Sequence, residues 1–185
     1  MLDSPPMAEV RDPAQRVIDA AARKGVQLEV VVFDESTHTA AEAAAAVGAD
    51  VGQIVKSLVF VSPVRTGVRA CLVLASGANI VDVARLSAVL TEHNIRRATA
   101  EEARELTGYS IGGIPPFGHI QPIRTVMDPD LGRFEKVWSA AGTPNTVFAV
   151  APATLRMLAN AVVAPIAVVR ESTPRQQAAG ASSSA

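Results

Sequence analysis

The sequence predicts an α+β domain in which helices pack outside a curved, barrel-like sheet of mixed or antiparallel strands. Three observations support a single domain of this class with an aliphatic core. Strand-like runs of Val, Leu and Ile are mixed with short capped helices, without the regular βαβ alternation of a doubly wound sheet. Only 4% of the residues are aromatic, so the core must be built from Val, Leu, Ile and Ala. At 185 residues, the chain is long enough to bury one sizeable core.

Capping residues and glycines mark the elements of the first half of the chain. Thr39 with Glu42 forms a capping box that opens an alanine-rich helix, and Gly48 ends it. The other elements predicted here are a helix from residue 13 to Gly25, after the Asp12-Pro13 start, and strands over residues 28–33, 53–61 and 68–76. The segment SPVRTG between the last two strands supplies the proline and glycine of a hairpin connection.

The second half shows the same signals. Thr99 with Glu102 forms a second capping box, and the helix it opens stops at Gly108. The other predicted elements are a helix capped by Asp82 that runs to about residue 90, strands over residues 123–128, 136–141 and 145–150, a helix over 152–160 and a last strand over 161–169.

We predict one domain over residues 12–170, between a flexible N-terminal tail (1–11) and a disordered C-terminal tail (171–185). The formal net charge of -1 argues against a protein that grips long stretches of nucleic-acid backbone, although it leaves room for one that recognises a short end. The N-terminus does not resemble a signal peptide, and no apolar run is long enough to cross a bilayer. We therefore expect a cytoplasmic protein.

The stretch TGYSIGGIPPFGH follows a helix stop and precedes a strand, so it is a loop. Gly112 and Gly113 permit unusual backbone angles and leave their N–H groups bare of side chains. Pro115 and Pro116 restrict the chain directly after them. A rigid rim of amide donors can hold an anion or a polarised carbonyl oxygen. A turn that only carries the chain across the sheet edge stays open as an alternative.

Lys56 interrupts the apolar face that Ile54, Leu58 and Phe60 form on a predicted strand. An ammonium group that faces inward is costly unless it reaches an anion, a carbonyl or water. Two interpretations stay open: a functional lysine, or a lysine near a strand end that extends into solvent.

The remaining candidates have weaker patterns. His38, His93 and His119 lack the paired helical spacing of a zinc site, so we expect no metal. His38 opens a helix, His119 closes the glycine-proline loop, and Asn145 lies in a turn; each is either a pocket residue or a capping or turn residue. Cys71 lies among apolar residues, which is typical of an inert buried thiol.

Three stretches together resemble the YbaK family, also called the prolyl-tRNA synthetase associated or editing-domain family: STHTAAEAAAAVGADVGQIVKSLVF, TGYSIGGIPPFGH and VWSAAGTPNTVFAVAP. The two most specific motifs are a lysine in a strand after an alanine-rich helix and a GxxP-type loop. They are matched by Lys56 and by Gly112, Gly113, Ile114 and Pro115.

The resemblance implies a free-standing aminoacyl-tRNA deacylase, a trans-editing hydrolase that removes a wrong small amino acid from tRNA, usually tRNA for proline. In that case the amides of Gly112 and Gly113 hold the ester carbonyl, and Lys56 contacts the terminal nucleotide or orients the substrate. Substrate binding is assigned to Ile114, Pro115, His38, His119 and Asn145. The implied partners are the acceptor end of an aminoacyl-tRNA and, in second place, an aminoacyl-tRNA synthetase, with no cofactor, membrane or DNA.

Two alternatives stay open. The protein is a non-catalytic module that binds an aminoacyl or nucleotide-like ligand or a synthetase, or it hydrolyses some other small activated acyl ester. The identity of the amino acid depends on side chains that several strands contribute to the pocket.

Overall fold

The computed structural model describes residues 12–169, and the two tails predicted from the sequence lie outside this range. Its strands form a three-stranded sheet in the order β1-β7-β6 and a five-stranded sheet in the order β4-β2-β3-β5-β8. The strands are β1 (Val30–Val32), β2 (Val55–Val64), β3 (Gly67–Ser76), β4 (Arg96–Arg97), β5 (Arg124–Met127), β6 (Val137–Ala140), β7 (Thr146–Val150) and β8 (Val162–Val163).

The pairing of these strands confirms the mixed α+β class. β5 is parallel to β3 and β8, whereas the other strand pairs are antiparallel. An isolated parallel bridge between Ile54 and Trp138 connects the two sheets. The two sheets are curved, and within the described residues they remain separate apart from this one bridge, so they do not close into a barrel.

The helices are α1 (Pro13–Ala22), α2 (Ala40–Val47), α3 (Val83–Leu90), α4 (Ala100–Thr107) and α5 (Pro152–Ala159). Both capping boxes form as the sequence predicts, at the N-termini of α2 and α4. Gly48 and Gly108 end these two helices in left-handed conformations that suit glycine, with φ of 66° and 79°. None of the helices within residues 12–169 is long and apolar enough to cross a membrane.

The central part of the β2–β3 hairpin is buried on both faces, and its side chains alternate between the two sides of the sheet. One face carries Val59 and Leu72 into a large core that also contains Phe148. The other face carries Phe60 and Val73 into a smaller core under α3. The hairpin therefore lies between these two cores of the domain.

Three predictions from the sequence need correction. The segment SPVRTG is mostly strand, since β2 continues to Val64 and β3 begins at Gly67. The last predicted strand shrinks to Val162–Val163, followed by an isolated bridge between Val81 and Ala167. The short strand β4 was not predicted, because two consecutive arginines carry no alternating apolar pattern.

Candidate functional site

A cavity of about 330 Å³ lies along an open edge of β2, between the two sheets. β4 pairs with only two residues of β2, Phe60 and Val61, so residues 55–58 have no strand on that side. Helix α2, strand β6 and the glycine-proline loop complete the walls. The cavity occupies the space that a longer β4 would fill.

The glycine-proline loop contributes residues with unpaired backbone amides to the wall of this cavity. The Gly113 N–H donates to the Ser110 carbonyl at 3.0 Å, which closes a tight turn. Gly112 has a φ of 91°, a conformation that L side chains rarely adopt. Gly112 and Ile114 line the cavity, and among the described residues their N–H groups have no hydrogen-bond acceptor. These two amides are therefore free to donate to a ligand.

The turn also requires glycine at position 113 for a packing reason. A Cβ at Gly113 would lie 2.6 Å from Thr143 Cα, which is backbone and cannot swing away. The loop therefore lies directly against the β6–β7 turn, and its amides hold a fixed position relative to β6.

The back of the loop is held by a cluster of polar and aromatic contacts. Arg16 stacks its guanidinium 4.3 Å from the centre of the Tyr109 ring, and the Tyr109 hydroxyl donates to the Gly118 carbonyl at 2.9 Å. His119 Nε2 lies 2.8 Å from the Pro115 carbonyl oxygen. Burial lowers the pKa of His119 below its ordinary value, against the opposing effect of this hydrogen bond. These residues support the loop from the side away from the cavity.

Lys56 is fixed by the turn that follows β3. Its Nζ donates to the carbonyl oxygen of Asn79, whose side-chain amide donates to Asp128 and Asp130 at 2.8 Å each. Desolvation lowers the pKa of Lys56 and nearby Arg97 lowers it further, whereas Asp128 raises it. The ammonium therefore has a defined position next to the cavity, held there through Asn79 by a buried carboxylate.

The structure brings four of the predicted site residues together around the cavity: His38, Lys56, Gly112 and Ile114. The other four do not line it. Gly113 and Pro115 are buried within the loop, and His119 is behind it. Asn145 ties the end of β1 to the β6–β7 turn, because its side-chain amide donates to the Phe33 carbonyl at 3.2 Å.

Among the cavity residues that were not predicted as site residues are Ser57, Arg97, Trp138 and Ser139. The guanidinium of Arg97 lies 5.4 Å from the centre of the Phe60 ring and forms no ion pair with residues 12–169. The hydroxyl oxygens of Ser57 and Ser139 are buried without a hydrogen-bond partner in the described part of the chain. The available signal was a serine within an apolar strand, which is also common in ordinary sheets.

The groups around the cavity limit its chemistry. Two cations, Lys56 and Arg97, reach it, whereas no carboxylate is among the described residues that line it, so it favours an anionic or polarised ligand. Cys71 lies in the smaller core, and burial raises its pKa to about 12, which removes it as a thiolate nucleophile. The cavity thus offers amides, hydroxyls and positive charge.

Comparison with known proteins gives consistent matches. A family model for the aminoacyl-tRNA editing domain matches residues 34–158. The uncharacterized protein YwhH of Bacillus subtilis (strain 168) is 31% identical over 127 residues, which cover 69% of this chain and 78% of YwhH.

Two solved structures have the same fold over most of the chain. One, described as a candidate trans-editing enzyme for prolyl tRNA synthetase, is 44% identical with a TM-score of 0.79 and covers 87% of this chain and 100% of its own. The hypothetical protein APE2540 is 29% identical with a TM-score of 0.74, covering 85% of this chain and all of its own.

Proposed function

Because the chain belongs to the aminoacyl-tRNA editing domain family, we propose that it is a free-standing deacylase that removes a small amino acid from the 3′ end of a tRNA. One observation carries this proposal: Lys56 and the amide-bearing loop at Gly112 line the same cavity. An ester held between them would have donors at its carbonyl and a positive charge beside it.

The loop amides supply the electrostatic part of the proposed reaction. Water attacks the ester carbonyl carbon, and the carbonyl oxygen becomes negative in the tetrahedral intermediate. The N–H groups of Gly112 and Ile114 donate to this oxygen, while the N–H of Gly113 holds the turn in shape. Donors fixed in this way typically contribute about 10²–10³-fold in rate.

Proton transfer in this site relies on the substrate. No carboxylate lines the cavity within residues 12–169, and the single thiol lies in the smaller core. An aminoacyl ester is already activated, so orienting the water and stabilising the oxyanion are the main requirements. We assign the base to a substrate group such as the ribose hydroxyl. The C–O bond then breaks, the ribose oxygen takes a proton, and a free amino acid and tRNA are released.

Lys56 and Arg97 suit the terminal nucleotide. Both are positively charged at the cavity, and neither is neutralised by a carboxylate that lines it among the described residues. The phosphates of an acceptor end are the complementary charge. We propose tRNA for proline as the carrier, because the solved relative at 44% identity is described as acting for prolyl tRNA synthetase. A synthetase is the proposed second partner.

The proposal is tested by measuring release of labelled amino acid from tRNA for proline charged with alanine, cysteine or serine. We expect release by the wild type and about a 100-fold loss in Lys56→Ala, because a charged contact to the substrate is removed. Lys24→Ala is the matched control, since Lys24 also donates to a backbone carbonyl, that of Leu158, far from the cavity.

The control is expected to retain wild-type activity. Release no faster than in buffer, with tRNA still bound, would identify a binding module instead of an enzyme. Equal losses in both lysine variants would refute the role of Lys56.

A further inference from the structure

The hydroxyls of Ser57 and Ser139 project from the same side of the joined sheets. The parallel bridge pairs Ile54 with Trp138, so the side chains of these two residues lie on the same face. Because side chains alternate along a strand, the next residues, Val55 and Ser139, both lie on the opposite face. Ser57, two residues after Val55, shares that face as well. Lys56, between Val55 and Ser57 in β2, lies on the face of Ile54 and Trp138. The open edge of β2 therefore has a hydroxyl side and a cationic side.

Both hydroxyl oxygens are buried, although Ser57 as a residue is only partly buried, and neither oxygen has a hydrogen-bond partner in residues 12–169. Ser139 is only 2% exposed. Buried polar groups are nearly always hydrogen-bonded to protein or to water, so two cavity hydroxyls without a partner in the chain can bond to a ligand that displaces water from them. Most of the other side chains around them are apolar, including Val55, Val59 and Val147.

A neutral group suits these two hydroxyls better than a charged one. An α-ammonium group buried against these serines would need a carboxylate, and none lines the cavity among the described residues, while Lys56 and Arg97 add repulsion. An alanyl side chain has no polar atom, so it would exclude water from both hydroxyls and leave them unpaired. A thiol is a weak donor and a weak acceptor. A hydroxyl both donates and accepts.

We propose that Ser139, with Ser57, selects aminoacyl groups that carry a side-chain hydroxyl, so that the substrates are seryl and threonyl esters in preference to alanyl ones. This inference rests on the proposed deacylase function. A site built to hydrogen-bond a substrate hydroxyl rejects the analogue that lacks it much more strongly than an apolar pocket rejects a missing methylene.

The test compares deacylation of one tRNA charged with serine, threonine or alanine. We expect the wild type to have at least about a tenfold higher kcat/KM for the seryl and threonyl esters than for the alanyl ester. Ser139→Ala and Ser57→Ala should reduce that preference by lowering only the first two rates. Ser139→Cys, which keeps a weak hydrogen-bonding atom, should give an intermediate preference.

Ser62→Ala is the matched control. Ser62 is a buried serine of β2, like Ser57, but its hydroxyl donates a hydrogen bond to Glu92, away from the cavity. It should keep the wild-type preference. Alanyl ester cleaved as fast as seryl ester by the wild type, or equal losses for all three esters in the serine variants, would overturn the inference alone. Cleavage of none of the three would overturn the deacylase proposal and this inference with it.

Discussion

The two parts of strand β2 differ in a way that explains where the cavity lies. Residues 59–61 have β3 on one side and β4 on the other, and all three are at most 3% exposed. Residues 55–58 have β3 on one side and the cavity on the other. The first part contains only apolar side chains, whereas the second contains a lysine and a serine without a partner for its hydroxyl.

This difference shows that the fold and the site impose opposite demands on one strand. Where the sheet is complete, burial of apolar surface is the main contribution to stability. Where the sheet is interrupted, the chain retains a desolvated ammonium and orphan hydroxyls that an ordinary core would exclude. Local features that oppose stability are expected at functional sites.

The largest expected effect is on stability, in the closed part. Phe60→Ala removes a ring that is 2% exposed, and we expect a loss of about 3–5 kcal/mol in the free energy of unfolding, measured with urea. Leu58→Ala, at the half-buried open part, should lose less than half as much. Equal losses would show that the two parts do not differ as described.

The next effect concerns the loop that faces the open part. Gly113→Ala pushes a Cβ against Thr143 and displaces the amides, so kcat should fall about 100-fold, as when an oxyanion donor is lost. Gly132→Ala is the control, because a Cβ there has nothing within 4 Å. An unchanged kcat in Gly113→Ala would remove the loop from the proposed mechanism.

Lys56→Met should separate activity from stability. It should lower kcat/KM at least about tenfold without lowering the free energy of unfolding at pH 7, because a desolvated charge is replaced by an apolar side chain. The lowered pKa of Lys56 means that the unfolded chain holds more protons between that pKa and 10.5. Wild-type stability should therefore gain a contribution as the pH rises through this window.

Urea unfolding at several pH values measures this contribution as the difference in the free energy of unfolding between the wild type and Lys56→Met. The difference should shrink as the pH approaches 10.5. A constant difference across the window would show that Lys56 is not desolvated in solution.

The smallest effect is expected behind the loop. Burial lowers the pKa of His119 below 6.5, so the unfolded chain binds a proton more readily in the range just below 6.5. Stability from this residue is present above that range and falls as the pH decreases through it. His119→Gln should flatten this slope in acid unfolding curves, and an unchanged slope would show that the burial of His119 does not affect its titration.

The sequence predicted the parts of the site that are unusual on their own. Lys56 breaks an apolar face and Gly112 lies in an unusual loop, so both were recognisable without a structure. Arg97 was not, because its place at the cavity depends on how far β4 extends along β2. Ser139 was missed for a similar reason, since its significance depends on how the two sheets meet at Ile54 and Trp138.

The helices were predicted well because their signals are local. The capping box of Thr39 and Glu42 satisfies backbone donors within one turn, whatever the rest of the fold does. The two edge strands of the five-stranded sheet were not, because pairing between distant segments decides where β4 and β8 end.

The open edge of β2 also bears on self-association. A strand with an unpaired side is a template on which a strand from another molecule can add, and natural sheets prevent this by placing charges at such edges. Lys56 lies within the unpaired stretch, so a strand that added there would lie next to an ammonium group that is already partly desolvated. The walls that α2, β6 and the glycine-proline loop place around this edge, together with the charge of Lys56, are therefore expected to oppose extension of the sheet by another molecule.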